Sequence, residues 1–150
     1  MADQFEASLT AGLAHTVQDI ARTDAKAGVL LTLDGLLVAA LSLLGTDARG
    51  VSLGLAVAGA IALIASVVLA LLVVRPRLNP AGGPDRASFV HWASEELSDE
   101  EIEEGLREDR RLPRLRTLSR IAMRKMRVLR LSGDAALAAV VLIAAAILTR

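Results

Sequence analysis

The sequence predicts an all-α membrane protein: three transmembrane helices with a cytoplasmic helical stalk. Two observations carry this reading. Apolar residues make up 53% of the 150 residues while aromatics make up 2%, so the bulky rings that normally fill a water-soluble core reduce to Phe5, Phe89 and Trp92. The Ala, Leu, Val and Ile that remain fall into long runs with few or no charges, as in a chain that uses lipid as part of its solvent.

The first run, 27–44, is 18 residues with one charge, Asp34. Its eight Leu and two Val return roughly 3 to 6 kcal/mol on insertion scales, against about 2.5 to 3.5 for a mid-helix Asp. The run therefore inserts, with Asp34 turned toward protein. The second run, 51–74, has 24 residues and no charge; at about 1.5 Å per residue it is about 36 Å long, enough to cross a hydrocarbon core of roughly 30 Å with tilt. The third, 135–148, has 14 residues and no charge, or 18 residues with one charge, Asp134, counted from Leu131. It spans as 131–149 if the bilayer thins locally, with a re-entrant or interfacial helix as the alternative.

Met1 is followed by Asp3 and Glu6 rather than a basic segment, so no cleaved signal peptide is expected. Of the 17 Lys and Arg, 15 lie at 22, 26 and 75–130, while Arg49 and Arg150 make the other 2. The positive-inside rule then places the amino terminus and the segment 75–130 in the cytoplasm. The expected organisation is one membrane domain over 1–150: a cytoplasmic helix 1–26, spans 27–44 and 51–74, a cytoplasmic linker with helices 75–130, and a last span 131–149.

Ahead of the first span, Phe5, Leu9, Leu13, Val17 and Ile20 recur at helical spacing, which predicts one helix from near Asp3 into the membrane. Leu115, Leu118, Ala122, Met126 and Leu129 form a matching stripe from Arg114 onward, and the two stripes are expected to pack as the stalk. Pro76, Pro80, Gly82, Gly83 and Pro84 mark an irregular linker. Ser98 with Glu101 reads as a capping box opening a short helix that Pro113 ends or kinks. Nine acids in 95–109 stand against Arg107, and seven bases in 114–130 against no acid, so an acidic helix folding back on the basic one is one reading.

Nothing in the chain reads as an enzyme, a metal site or a cofactor site: no Cys is present, His15 and His91 stand in no ligand spacing, and no Gly-rich phosphate loop occurs. The acidic run reads as a solvated helix face. Gly54, Ala58, Ala62, Ser66 and Ala70, and Gly28, Thr32, Gly35 and Ala39, place small residues at spacings that favour close helix packing within or between chains. Asp34 is the intramembrane polar candidate, since such acids pair with a base, line water or relay protons; the plainer reading is a hydrogen bond to Thr32 or Ser66. The bases Arg116, Arg120, Arg124, Lys125, Arg127 and Arg130 each gain about 1 kcal/mol beside anionic lipid. A phosphate would need two or three of them, and Trp92 with His91 offers an aromatic face for a base.

Several segments in succession resemble a known family. Asp24-Ala25-Lys26-Ala27-Gly28-Val29-Leu30-Leu31 runs into a Leu-rich span, and Arg75-Pro76-Arg77-Leu78 closes the second. Phe89 to Trp92 precedes an acidic Ser-Glu-Glu-Leu stretch, and Leu118-Ser119-Arg120-Ile121-Ala122 with Lys125 leads into the last span. Together they resemble the Pycsar transmembrane effectors over nearly the whole chain. The resemblance implies an antiphage protein of the bacterial inner membrane, multi-pass, paired with a pyrimidine cyclase. Its cyclic UMP or cyclic CMP would activate the effector, membrane integrity would fail, and the infected cell would die by abortive infection. It also implies a ligand-sensing set of Asp24, Lys26, Trp92, Ser119 and Lys125, a homo-oligomer in the lipid bilayer, and no nucleic acid polymer as partner. The alternative is a non-conducting membrane adaptor that recruits a cytosolic partner.

Overall fold

A computed structural model describes residues 2–43, 49–75, 98 and 111–149. They form three helices: α1 (Ala2–Leu43), α2 (Val51–Val74) and α3 (Arg111–Leu148). All three are long and apolar enough to cross a membrane, and no strand occurs among the described residues. The Gly45 turn, the Pro/Gly linker, Phe89, His91, Trp92 and the acidic segment after Ser98 lie outside the described residues.

α1 runs unbroken for 42 residues, since no Pro interrupts it; its hydroxyls at 10, 16, 23, 32 and 42 donate back to the carbonyl four residues earlier. α2 starts at Gly50, whose φ of +59° and ψ of −125° suit only a residue without Cβ; its carbonyl accepts from the Gly54 amide at 3.2 Å. The basic stripe and the third span form one helix. Pro113 lies in the first described turn of α3, a position where a missing amide costs little; the short helix expected before it lies outside the described residues.

Two compact units result: residues 1–17 with 76–120, and residues 18–75 with 121–150. In the first, Gly12 lets Leu115 approach to 3.7 Å of where a Cβ would stand, and the Arg111 guanidinium pairs with Glu6. In the second, α2 and α3 run antiparallel, as three contacts in register show: the Ser52 hydroxyl donates to the Ala146 carbonyl at 2.9 Å, Gly59 faces Ile143, and Ser66 meets Ser132. Leu37 and Leu41 of α1 and Leu55 and Ala56 of α2 pack on Ile143 and Ala146.

The buried positions repeat every seven residues. In α2 they include Ser52, Gly59, Ser66 and Val73, with Leu63 and Ala70 between; in α3, Ala122, Ser132, Ala136, Ala139, Ile143 and Ala146. Alternating steps of three and four keep one seam facing its neighbour. A step of four overshoots a full turn by about 40°, so a strict four-residue stripe walks round the helix. The stripe Phe5, Leu9, Leu13 and Val17 steps by four and diverges accordingly, while Leu115, Leu118, Ala122 and Leu129 stay at least half-buried. Phe5 and Val17 are each 53% exposed and Met126 is 44% exposed, while Lys125 takes the inward position beside Met126. Of the small-residue set in α2, Ser66 and Ala70 are buried but Gly54 faces open space. Gly28, Thr32, Gly35 and Ala39 stay on one face of α1, and it is the outer one.

Outside the seam the helices are covered by exposed Val, Leu and Ile, among them Val57, Ile61, Ile64 and Val68 on α2 and Leu137 and Val141 on α3. So much exposed aliphatic surface matches lipid as the surrounding medium.

Candidate functional site

Two polar layers interrupt the seam of the second unit. The first is an ion pair: Lys125 Nζ donates to Asp24 Oδ1 at 2.6 Å and Oδ2 at 2.8 Å. α1 and α3 bring these residues together because Asp24 follows the buried Thr23 and Lys125 follows the buried Ala122 by one turn. The lysine is 17% exposed and the acid 36%, so the long aliphatic stem lies in the helix interface and the charges stay at its edge.

The second layer joins all three helices. Asp34 of α1 is 1% exposed, and Ser66 of α2 and Ser132 of α3 are fully buried. One Ser66 hydroxyl straddles the carboxylate, 3.1 Å from Oδ1 and 2.9 Å from Oδ2. Ser132 Oγ lies 3.4 Å from Ser66 Oγ and donates to the Ser66 carbonyl at 2.8 Å. Of the two partners named for Asp34 from sequence, Ser66 is the one used; Thr32 donates to Gly28 in its own helix. Measured along the helices, Ser66 stands about 22 Å from Val51 and Ser132 about 24 Å from Leu148. The layer therefore lies about a third of the way along α2, about 12 Å from Val74, and level with the start of the third apolar run.

Of the remaining sequence candidates, Lys26 is exposed, and Ser119 is exposed in the first unit with its hydroxyl spent on the Leu115 carbonyl at 2.8 Å. Trp92 lies outside the described residues. The structure thus unites Asp24 with Lys125 and adds Ser132 to Asp34 and Ser66. Ser132 and the close-contact Gly59 were missed from sequence. A search at seven-residue spacing would have found both, since Gly59 precedes Ser66 by seven and Lys125 precedes Ser132 by seven.

Among the described residues no three His, Cys, Asp or Glu gather as metal ligands. A groove of about 240 Å³ between α1 and α2, lined by Val38, Leu41, Ala60, Leu63, Ile64, Val67 and Val68, presents only aliphatic side chains and so offers nothing to orient a nucleotide. Arg124, Arg127 and Arg130 are exposed on the outside of α3.

No curated protein and no solved structure matches the chain. A family description does: PycTM, the Pycsar effector protein domain, matches residues 8–150, a range that takes in all of α2, all of α3, both polar layers and all but the first turns of α1. With three apolar helices of membrane-spanning length and a match over nearly its whole length, this multi-pass membrane protein belongs to the Pycsar effector family.

Proposed function

We propose that this Pycsar effector is activated by a cyclic pyrimidine mononucleotide, cyclic UMP or cyclic CMP, made by a paired cyclase, and that activation breaches the bacterial inner membrane and ends phage infection by killing the cell. The observation that carries the reading is the family match over residues 8–150, joined to three helices fit to span a bilayer. The amino terminus and the segment 75–130 face the cytoplasm, where the nucleotide is made, and their helices form a cytoplasmic stalk within a single membrane domain. The protein works as a homo-oligomer.

The ligand-sensing residues are Asp24, Lys26, Trp92, Ser119 and Lys125. Asp24 and Lys125 supply a switch in chemical terms. A cyclic phosphodiester is an anion and competes with the Asp24 carboxylate for the Lys125 ammonium, with exposed Lys26 as a second donor. Removing Asp24 from Lys125 loosens α1 from α3. A ligand shifts such an equilibrium only by its differential affinity for the two packings, so the nucleotide binds the loosened state more tightly.

The test is membrane potential and dye uptake in cells producing the chain, with cyclic UMP or cyclic CMP supplied by a co-expressed cyclase. Depolarisation with one nucleotide and none with a catalytically dead cyclase is the expected result. Cells that stay polarised with both nucleotides overturn the reading.

A further inference from the structure

The second polar layer has no part in sensing, yet it is the most polar place inside the seam. Ser66 and Ser132 turn their hydroxyls inward to another helix, whereas the hydroxyls of Thr32 and Ser42 in α1 bond their own backbone. Asp34, Ser66 and Ser132 come one from each helix and meet at one level. Two hydroxyl hydrogens serve the whole cluster: Ser66 spends its own on Asp34, and Ser132 spends its own on a carbonyl. Packed in this way the layer is sealed and needs no water.

The charge balance along the seam gives the layer its sign. Asp24 and Lys125 cancel each other, and Arg124, Arg127, Arg130 and Asp134 are exposed on the outside of α3. Among the described residues of the second unit, Asp34 is the acidic side chain that faces inward on a hydroxyl instead of a base. Beyond it lies an aliphatic stretch of Leu37, Leu41, Leu55, Ala56, Ile143 and Ala146. A carboxyl group followed along one path by aliphatic side chains is the order of groups that, once the helices part, admits cations and closes by dewetting.

We propose that the breach is a cation-selective leak along the helix seam, with monovalent cations contacting the oxygens of Asp34, Ser66 and Ser132 as the helices part. This rests on the membrane-breaching reading above and deepens it by naming what crosses. If the helices separate, the carboxylate loses its hydroxyl partner and gains water, and its charge attracts cations and repels anions. A breach made by general lipid disorder has no such preference.

The experiment uses the full chain reconstituted in a planar bilayer under a KCl gradient, with cyclic UMP and cyclic CMP added in turn, and reads the potassium-over-chloride permeability ratio. A ratio well above one in the parent, lost in Asp34→Asn and retained in Asp34→Glu, is expected if the Asp34 carboxylate selects the ion. The ratio is independent of how much protein inserts, so a poorly folding variant does not imitate the result. Equal passage of potassium, chloride and a bulky dye overturns the cation path and leaves the breaching function standing, as does an Asp34→Asn ratio equal to the parent's. Absence of nucleotide-dependent current overturns both.

Discussion

Asp24 and Asp34 stand ten residues apart on the same helix and meet opposite company. Asp24 finds a lysine and remains 36% exposed; Asp34 finds the Ser66 hydroxyl, with Ser132 behind it, and is 1% exposed. An ion pair tolerates the edge of the seam because water still reaches both charges. Deeper in, where long charged stems do not fit between closely packed helices, the same carboxylate is held by the shortest available hydroxyls. The difference teaches that polarity in this bundle is graded by depth: charge against charge at the rim, charge against hydroxyl inside, and aliphatic packing beyond.

The largest effect expected from breaking this gradient comes from Asp34→Lys, which places an ammonium among hydroxyls with no acid in the layer. About 3 kcal/mol or more of stability should be lost, the scale seen when a buried charge is left uncompensated; the midpoint of unfolding in detergent with added sodium dodecyl sulfate checks it. An unchanged midpoint would mean that water already fills the layer.

The aliphatic end is tested by a glycine pair. A Cβ at Gly59 would stand 2.9 Å from Ile143 Cγ1 and 3.4 Å from the Ile143 amide nitrogen, whereas nothing lies within 4 Å of one at Gly54. Gly59→Ala should cost about 1 to 3 kcal/mol through overpacking of α2 on α3. Gly54→Ala should cost nothing and gain up to about 1 kcal/mol of helix propensity. Equal behaviour of the two in the same unfolding assay would remove the antiparallel register of α2 and α3.

At the rim, Asp24→Lys and Lys125→Asp should each lose about 1 kcal/mol, the scale of a partly exposed pair. The doubly swapped chain should recover most of it, a coupling that a double-mutant cycle isolates. Additive losses would show that the two residues act separately. The smallest effect belongs to Ser52→Ala, which removes one bond to the Ala146 carbonyl and should cost about 0.6 kcal/mol, the average for an interhelical hydrogen bond in a membrane protein. A much larger loss would mark the far end of the seam as more than aliphatic packing.

How much of this was legible depends on the kind of pattern involved. The unbroken α1 follows from its lack of Pro and its run of helix formers, while the sequence left the hydroxyl partner of Asp34 open between Thr32 and Ser66. The inward turn of Lys125 was not legible from the stripe Leu115, Leu118, Ala122, Met126, because Met is the apolar residue and Lys the polar one. Lys125 goes in because the seam steps by seven and Asp24 stands opposite to pair with it. The small-residue stripe through Gly54 and Ala58 is not one contact face within the chain, for a geometric reason: its four-residue steps rotate by roughly 160° between Gly54 and Ala70, so no single helix of the chain contacts all of it.

The sequence by itself determined that this chain is helical, crosses the membrane and resembles its effector family. Run length, charge-free stretches and ordered segments are properties of a line and survive any packing. Which side of each helix faces its neighbours, and hence the meeting of Asp34, Ser66 and Ser132, only the tertiary structure decided. A fraction of a residue per turn separates an inward position from an outward one, and that fraction is set by mutual packing of three helices, not by any one of them.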